Sequence, residues 1–157
     1  MRIFISHKKE DESVARRVMK VFESVGVDAY LDVLDNMLTN NGEELTKHIR
    51  QKLRECSEII VILSSNTKHS WWVPFEIGMA TEKEMSIVNY LVSDEILPEY
   101  LSYWPRLKCD QDVLKYVEIR KQFNKKVLYE RSRGYFQKID CGMTETERFY
   151  AELKKHL

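Results

Sequence analysis

Apolar side chains recur along this chain in two rhythms, and the alternation between them sets the order of its elements. Arg2 to Ile5 predicts a short strand, which stops at the polar run Ser6-His7-Lys8-Lys9-Glu10-Asp11. Val14, Val18, Val21, Phe22 and Val25 then fall on one face at helical spacing, and Gly26 supplies the stop. Val27 to Leu31 predicts a second strand, closed by Asp32, and Leu34 to Gly42 has the Asn and Gly content of a long loop. Leu45, Ile49, Leu53 and Cys56 line the next helix, with Glu43 and Glu44 in its first turn, where the helix dipole favours negative charge.

Ile59 to Leu63 is a continuous aliphatic run without alternation. Such a run suits a strand covered on both faces, as in the middle of a parallel sheet. Ser64 to Ser70 reads as a polar loop, and Trp71 to Lys83 as a helix that tolerates Pro74 only within its first turn. Ile87 to Val92 predicts a fourth strand. The aromatic, proline-broken stretch from Leu97 to Leu107 predicts an ordered loop or short turn, with a strand only at its end. Helical stripes return at Val113 to Phe123 (Val113, Leu114, Val117, Lys121) and at Glu145 to His156 (Phe149, Tyr150, Leu153), while residues 124–144 show no pattern that assigns an element. Strands alternating with helices at this pace predict a flavodoxin-like α/β fold: a central parallel sheet of about five strands, helices on both faces, right-handed crossovers. Ligands of such folds bind at the carboxyl ends of the strands, where Ser6, Asp32 and Ser64 fall.

Composition narrows the function classes. A length of 157 residues predicts a single domain with one real core, and 43% hydrophobic with 32% charged residues excludes a low-complexity chain. Lys plus Arg (25) equals Asp plus Glu (25), so the basic excess of a nucleic-acid binder is missing. The run from Ile59 to Leu63 is far short of the ~20 apolar residues that cross a bilayer, so no membrane span is expected. The apolar part of the amino terminus is too short for a signal-peptide core, and a cytoplasmic location is expected. Cys56, Cys109 and Cys141 lack CxxC spacing and read as buried small hydrophobes, and His7, His48, His69 and His156 lack ligand spacing, so no metal is expected.

Two flavodoxin-like chemistries are excluded at the first loop. A phosphorylated response regulator needs an acidic pair after the first strand, and a dinucleotide-binding Rossmann domain needs a Gly-rich turn there; this chain has Ser6-His7-Lys8-Lys9. Four blocks stand in a telling order instead: Ile3-Phe-Ile-Ser-His7, Tyr30-Leu-Asp32 before a loop ending at Gly42, Ile60-Val-Ile-Leu-Ser-Ser65, and Ser70-Trp-Trp-Val-Pro-Phe-Glu76. Together they resemble a Toll/interleukin-1 receptor (TIR) domain of the bacterial kind, over about residues 2–107. Asn41 stands where that family commonly has a proline. The resemblance implies one domain over 1–157, with a TIR core at about 2–126 and a carboxyl-terminal helical extension at about 127–157.

Trp72 and Glu76 are four residues apart, so on a helix they share a face, an indole one turn from a carboxylate. An indole face attracts a pyridinium. A glutamate on an amphipathic helix is ordinarily a solvated surface residue; the resemblance implies that Glu76 is the catalytic glutamate of an NAD-consuming TIR domain. It also implies that Ser6, His7 and Lys8 contact the diphosphate or ribose, and that Asp32, Gly42 and Trp72 help to bind the substrate. Asp32 could equally cap its loop, and Gly42 could serve backbone geometry. Nicotinamide leaves a pyridinium as a neutral base, so one carboxylate can suffice where glycosidases use two. The implied activity is NAD+ glycohydrolase or ADP-ribosyl cyclase, with NAD+ as substrate and no cofactor. The implied context is bacterial antiphage defence, with homo-oligomers formed by TIR–TIR contacts and a separate effector protein that reads the product. Two other readings stay open: a non-catalytic TIR adaptor, and a nucleoside deoxyribosyltransferase-like enzyme. Trp71 is assigned to the core, since both indoles cannot face the site.

Overall fold

A computed structural model describes residues 1–31, 42–94, 96–133 and 142–157. Five strands form one sheet: β1 (Arg2–Ser6), β2 (Asp28–Leu31), β3 (Glu58–Leu63), β4 (Ser86–Leu91) and β5 (Arg106–Leu107). Every pairing is parallel, and the order is β2-β1-β3-β4-β5. The helices are α1 (Glu12–Ser24), α2 (Gly42–Glu55), α3 (Trp72–Glu82), the single turn α4 (Glu99–Ser102), α5 (Asp110–Ser132) and α6 (Glu145–Leu153).

Period-two alternation sorts the central strands between two cores. Ile60 and Ile62 of β3 join Ile3, Ile5, Val88 and Tyr90 under α1, α5 and α6. Ile59, Val61 and Leu63 join Phe4, Ile87 and Leu91 under α2, α3 and α4. All six residues of β3 are buried, as its unbroken aliphatic run requires. Gly26 ends α1 in the left-handed region at φ 70, its N–H donating to the Glu23 carbonyl at 3.0 Å, the geometry a glycine stop supplies. Pro74 is the third residue of α3, inside the first turn, where no helical hydrogen bond is lost. Behind it, Lys83 Nζ donates to the carbonyls of Leu53 (2.5 Å) and Cys56 (2.8 Å), tying the end of α3 to the last turn of α2.

Several expectations need correction. Trp71 is 90% exposed and lies outside the core, because α3 begins one residue later and turns it outward. Cys109 is exposed, while Cys56 is buried and Cys141 lies outside the described residues. The helix expected over 113–123 runs from Asp110 to Ser132; its inward face is Val113, Tyr116, Val117, Ile119, Phe123 and Val127, and Lys121 is exposed. This helix passes through position 126. Phe149 and Leu153 of α6 are fully buried in the same cluster as α1 and α5.

The carboxyl-terminal segment also covers a gap in the sheet. β5 pairs only with Asn89 and Tyr90, so the first half of β4 has no strand on that side among the described residues. The Ile87 N–H there donates to the Tyr150 hydroxyl at 2.6 Å, and an edge donor is satisfied by a side chain of α6. Deeper in, the Glu58 carboxylate opening β3 is buried. It accepts from the Tyr116 hydroxyl and pairs with Arg120 Nε at 2.9 Å, while the Arg120 guanidinium lies over the Phe149 ring at 4.3 Å.

Candidate active site

The sheet order places a topological switch point between β1 and β3, since the chain leaves β1 to one side for β2 and returns to its other side for β3. Crevices at such points, outside the carboxyl ends of the strands, are where doubly wound sheets bind ligands. Ser6 is the last residue of β1, held in register with Val61 of β3 and fully buried. Glu76 reaches the same place from α3 and is only 2% exposed. The two meet: Ser6 Oγ donates to Glu76 Oε2 at 2.5 Å. A carboxylate so removed from water needs such a partner, because burying an unpaired charge costs several kcal/mol.

Trp72 opens α3 one turn before Glu76. It is half-buried, packs against the α2/α3 core and meets Phe75 edge-to-face at 5.8 Å. His7 and Lys8 follow Ser6 as half-buried loop residues, with Lys8 paired to Glu10 at 3.2 Å. Gly42 is the exposed first residue of α2, and its carbonyl accepts from Thr46 Oγ1 at 2.8 Å. Its φ is not in the left-handed region, so the backbone there does not require glycine. Asp32 lies outside the described residues, as does the loop it opens. The structure thus brings Ser6 and Glu76 into direct contact and sets Trp72 beside Glu76 on the same helix.

One residue that the sequence reading passed over shapes the same edge. Asp11 occupies the N-cap of α1 without capping it. Its buried carboxylate instead accepts from Ser64 Oγ (2.7 Å) and Asn66 Nδ2 (2.9 Å), lashing the loop after β1 to the loop after β3. An aspartate one residue before a helix reads as an ordinary cap, and no local signal announces a partner 53 residues away. Nearby, a cavity of about 320 Å³ at the end of β3 is bounded by Leu63, Ser64, Val73, Ile77, Tyr100 and Leu101; Ser6 and Glu76 do not line it. Among the described residues no cluster of three or more His, Cys, Asp or Glu side chains is arranged to hold a metal ion, and no helix is long and apolar enough to cross a membrane.

A family model of the TIR domain matches residues 3–130. The chain belongs to the TIR domain family. This TIR domain is 27% identical over 97 residues to a Cytobacillus dafuensis protein named "Putative cyclic ADP-D-ribose synthase TIR2", covering 59% of this chain and 26% of that one. It is 25% identical over 112 residues to the "Probable 3' cyclic ADP-D-ribose synthase ThsB'" of Bacillus cereus (strain MSX-D12), covering 66% of this chain and 58% of the relative. The chain therefore spans about a quarter and somewhat over half of the lengths of these two relatives. In fold, this TIR domain is similar to that of the Toll-related receptor TRR-2 of Hydra magnipapillata (TM-score 0.57, 19% identity, 78% of this chain and 95% of that one). It is also similar to a 2-deoxyribosyltransferase from Bacillus psychrosaccharolyticus (TM-score 0.61, 12% identity, 72% and 90%). At these identities the likeness is one of fold.

Proposed function

We propose that this TIR domain cleaves the nicotinamide–ribose bond of NAD+, with Glu76 as the catalytic carboxylate. The observation that carries this reading is the buried Ser6–Glu76 pair at the switch-point edge, with Trp72 one turn away. As the C–N bond breaks, its electrons stay on nicotinamide, which departs neutral, and positive charge develops on the ribose. A carboxylate held in a low-dielectric edge stabilises that charge far better than one in water. The Trp72 indole offers a face for the pyridinium before it leaves, and Lys8 supplies positive charge for the diphosphate. NAD+ serves as substrate and no further cofactor takes part. Capture of the ribosyl cation by water gives ADP-ribose; capture by a nucleophile of the same molecule gives a cyclic isomer. The names of the two bacterial relatives support the cyclic outcome, and such a product suits a signal read by a separate effector in antiphage defence. Self-association through TIR–TIR contacts belongs to the same reading.

The test is incubation of concentrated protein with NAD+, nicotinamide and ADP-ribose species being separated by chromatography. Glu76→Gln is expected to lower nicotinamide release roughly 10²–10³-fold, and the specific rate of wild type is expected to rise with protein concentration. Equal release from both proteins would remove Glu76 from the chemistry, and silence of wild type at every concentration would leave the TIR adaptor reading in its place.

A further inference from the structure

Ser6 was expected to touch the substrate. The geometry points elsewhere: we propose that Ser6 is a positioning residue, whose hydroxyl fixes one oxygen of Glu76 and so sets the direction in which that carboxylate meets the reacting ribose. This rests on the reading that Glu76 promotes loss of nicotinamide. Ser6 has no exposed surface at all, and its hydroxyl proton is committed to Glu76 Oε2 at 2.5 Å. A hydroxyl has a single proton to donate, so while that bond stands Ser6 has none to offer a ribose or diphosphate oxygen.

The two ends of the bond are anchored differently, and this gives it its use. Ser6 is fixed by the parallel ladder, paired with β3 at Val61. Glu76 sits on a helix whose neighbouring side chains Val73, Ile77 and Ala80 are all buried, so its backbone is fixed, and a glutamate side chain has several staggered rotamers among which its contacts choose. Tying one carboxylate oxygen to the rigid strand selects among them. Catalytic groups must be held within fractions of an ångström, and the supporting hydrogen bond is what holds them. The pair also spans 70 residues of sequence, so it ties the first strand to the helix that carries the catalytic carboxylate.

Turnover and affinity separate this role from substrate contact. Ser6→Ala is expected to lower kcat about 10- to 100-fold while KM stays within about twofold. Ser6→Thr, which keeps the hydroxyl, is expected to restore most of the rate; should its added methyl prevent folding, as read by circular dichroism, Ser6→Cys with its weak donor is expected to behave like Ser6→Ala. Isothermal titration of NAD+ into Glu76→Gln and into Ser6→Ala/Glu76→Gln is expected to give the same dissociation constant. A rise in KM or in that constant of about tenfold with kcat unchanged would make Ser6 a substrate contact and overturn the proposal. Full activity of Ser6→Ala beside an inactive Glu76→Gln would overturn it alone, leaving the function standing. An active Glu76→Gln would overturn the functional reading, and the positioning role with it.

Discussion

Arg120→Met tests how the carboxyl-terminal half of the chain is bound to the sheet. The substitution keeps an unbranched apolar stem against Phe149 but deletes the guanidinium that pairs with Glu58 at 2.9 Å, in a site where the two side chains are 13% and 2% exposed. Glu58 would then lie buried beneath α5 without its ion-pair partner, keeping the Tyr116 hydroxyl. Breaking a buried pair by removing one partner costs about 3–5 kcal/mol, because the survivor is left uncompensated. For a domain of this size each kcal/mol moves the melting temperature by about 2–4 °C, so a fall of roughly 6–20 °C is expected. Urea unfolding followed by circular dichroism gives the free energy directly. Adding Glu58→Gln to Arg120→Met removes the stranded charge while keeping an acceptor for Tyr116, and is expected to recover most of the loss. A single variant within about 1 kcal/mol of wild type, the range of a surface ion pair, or a double variant less stable than the single, would refute the view that charge compensation at Glu58 holds α5 in place.

Two further outcomes follow from the same region. Burial pushes the Glu58 carboxyl above its ordinary value of 4.5, with Arg120 pulling the other way. The folded state therefore binds more protons than the unfolded state above that value, so this group's contribution is fully present below about pH 4.5 and is lost as pH rises through the elevated folded value. The difference in stability between wild type and Glu58→Gln, measured by urea unfolding from about pH 4.5 to pH 8, should shift against wild type as pH rises; a flat difference would contradict it. Tyr150→Phe removes the acceptor of the Ile87 N–H and is expected to cost about 1–3 kcal/mol. Hydrogen exchange at the Ile87 amide should accelerate more than at Val61 in the centre of the sheet, and unchanged protection there would show that the edge does not depend on α6.

The strands and the first three main helices were legible because their side chains obey one period each. Ile59 to Leu63 announced a central strand, and Leu45, Ile49, Leu53 and Cys56 a helix face, and all are buried. The end of α5 was not legible. Beyond Phe123 its inward residues are Val127 and Glu130, separated by exposed Lys125, Lys126, Leu128 and Tyr129, so the apolar stripe thins while the helix continues. Glu130 is buried because Arg148 of α6 pairs with it at 2.8 Å, a contact between segments that no local window contains. Glu58 was missed for the same reason: a charged residue ahead of an aliphatic run reads as the polar border of a strand, yet it is part of the strand and compensated from α5. At the candidate site, the sequence offered the Trp72–Glu76 spacing and the strand-end serine separately. Their meeting depends on the parallel register of β1 and β3 and on the seat of α3. Of two adjacent tryptophans, only the start of α3 decides which one faces inward.

The hydroxyl of Tyr150 at the half-open flank of β4 has a consequence for the behaviour of the molecule in a crowded solution. A chain cut after Ser132 would keep the matched family segment but would leave the Ile87 amide on the flank of β4 without its acceptor, a point at which an extended peptide could pair. Such a fragment should add strands at that flank where the whole chain cannot, which makes the last helix a guard against strand addition as much as a piece of the core.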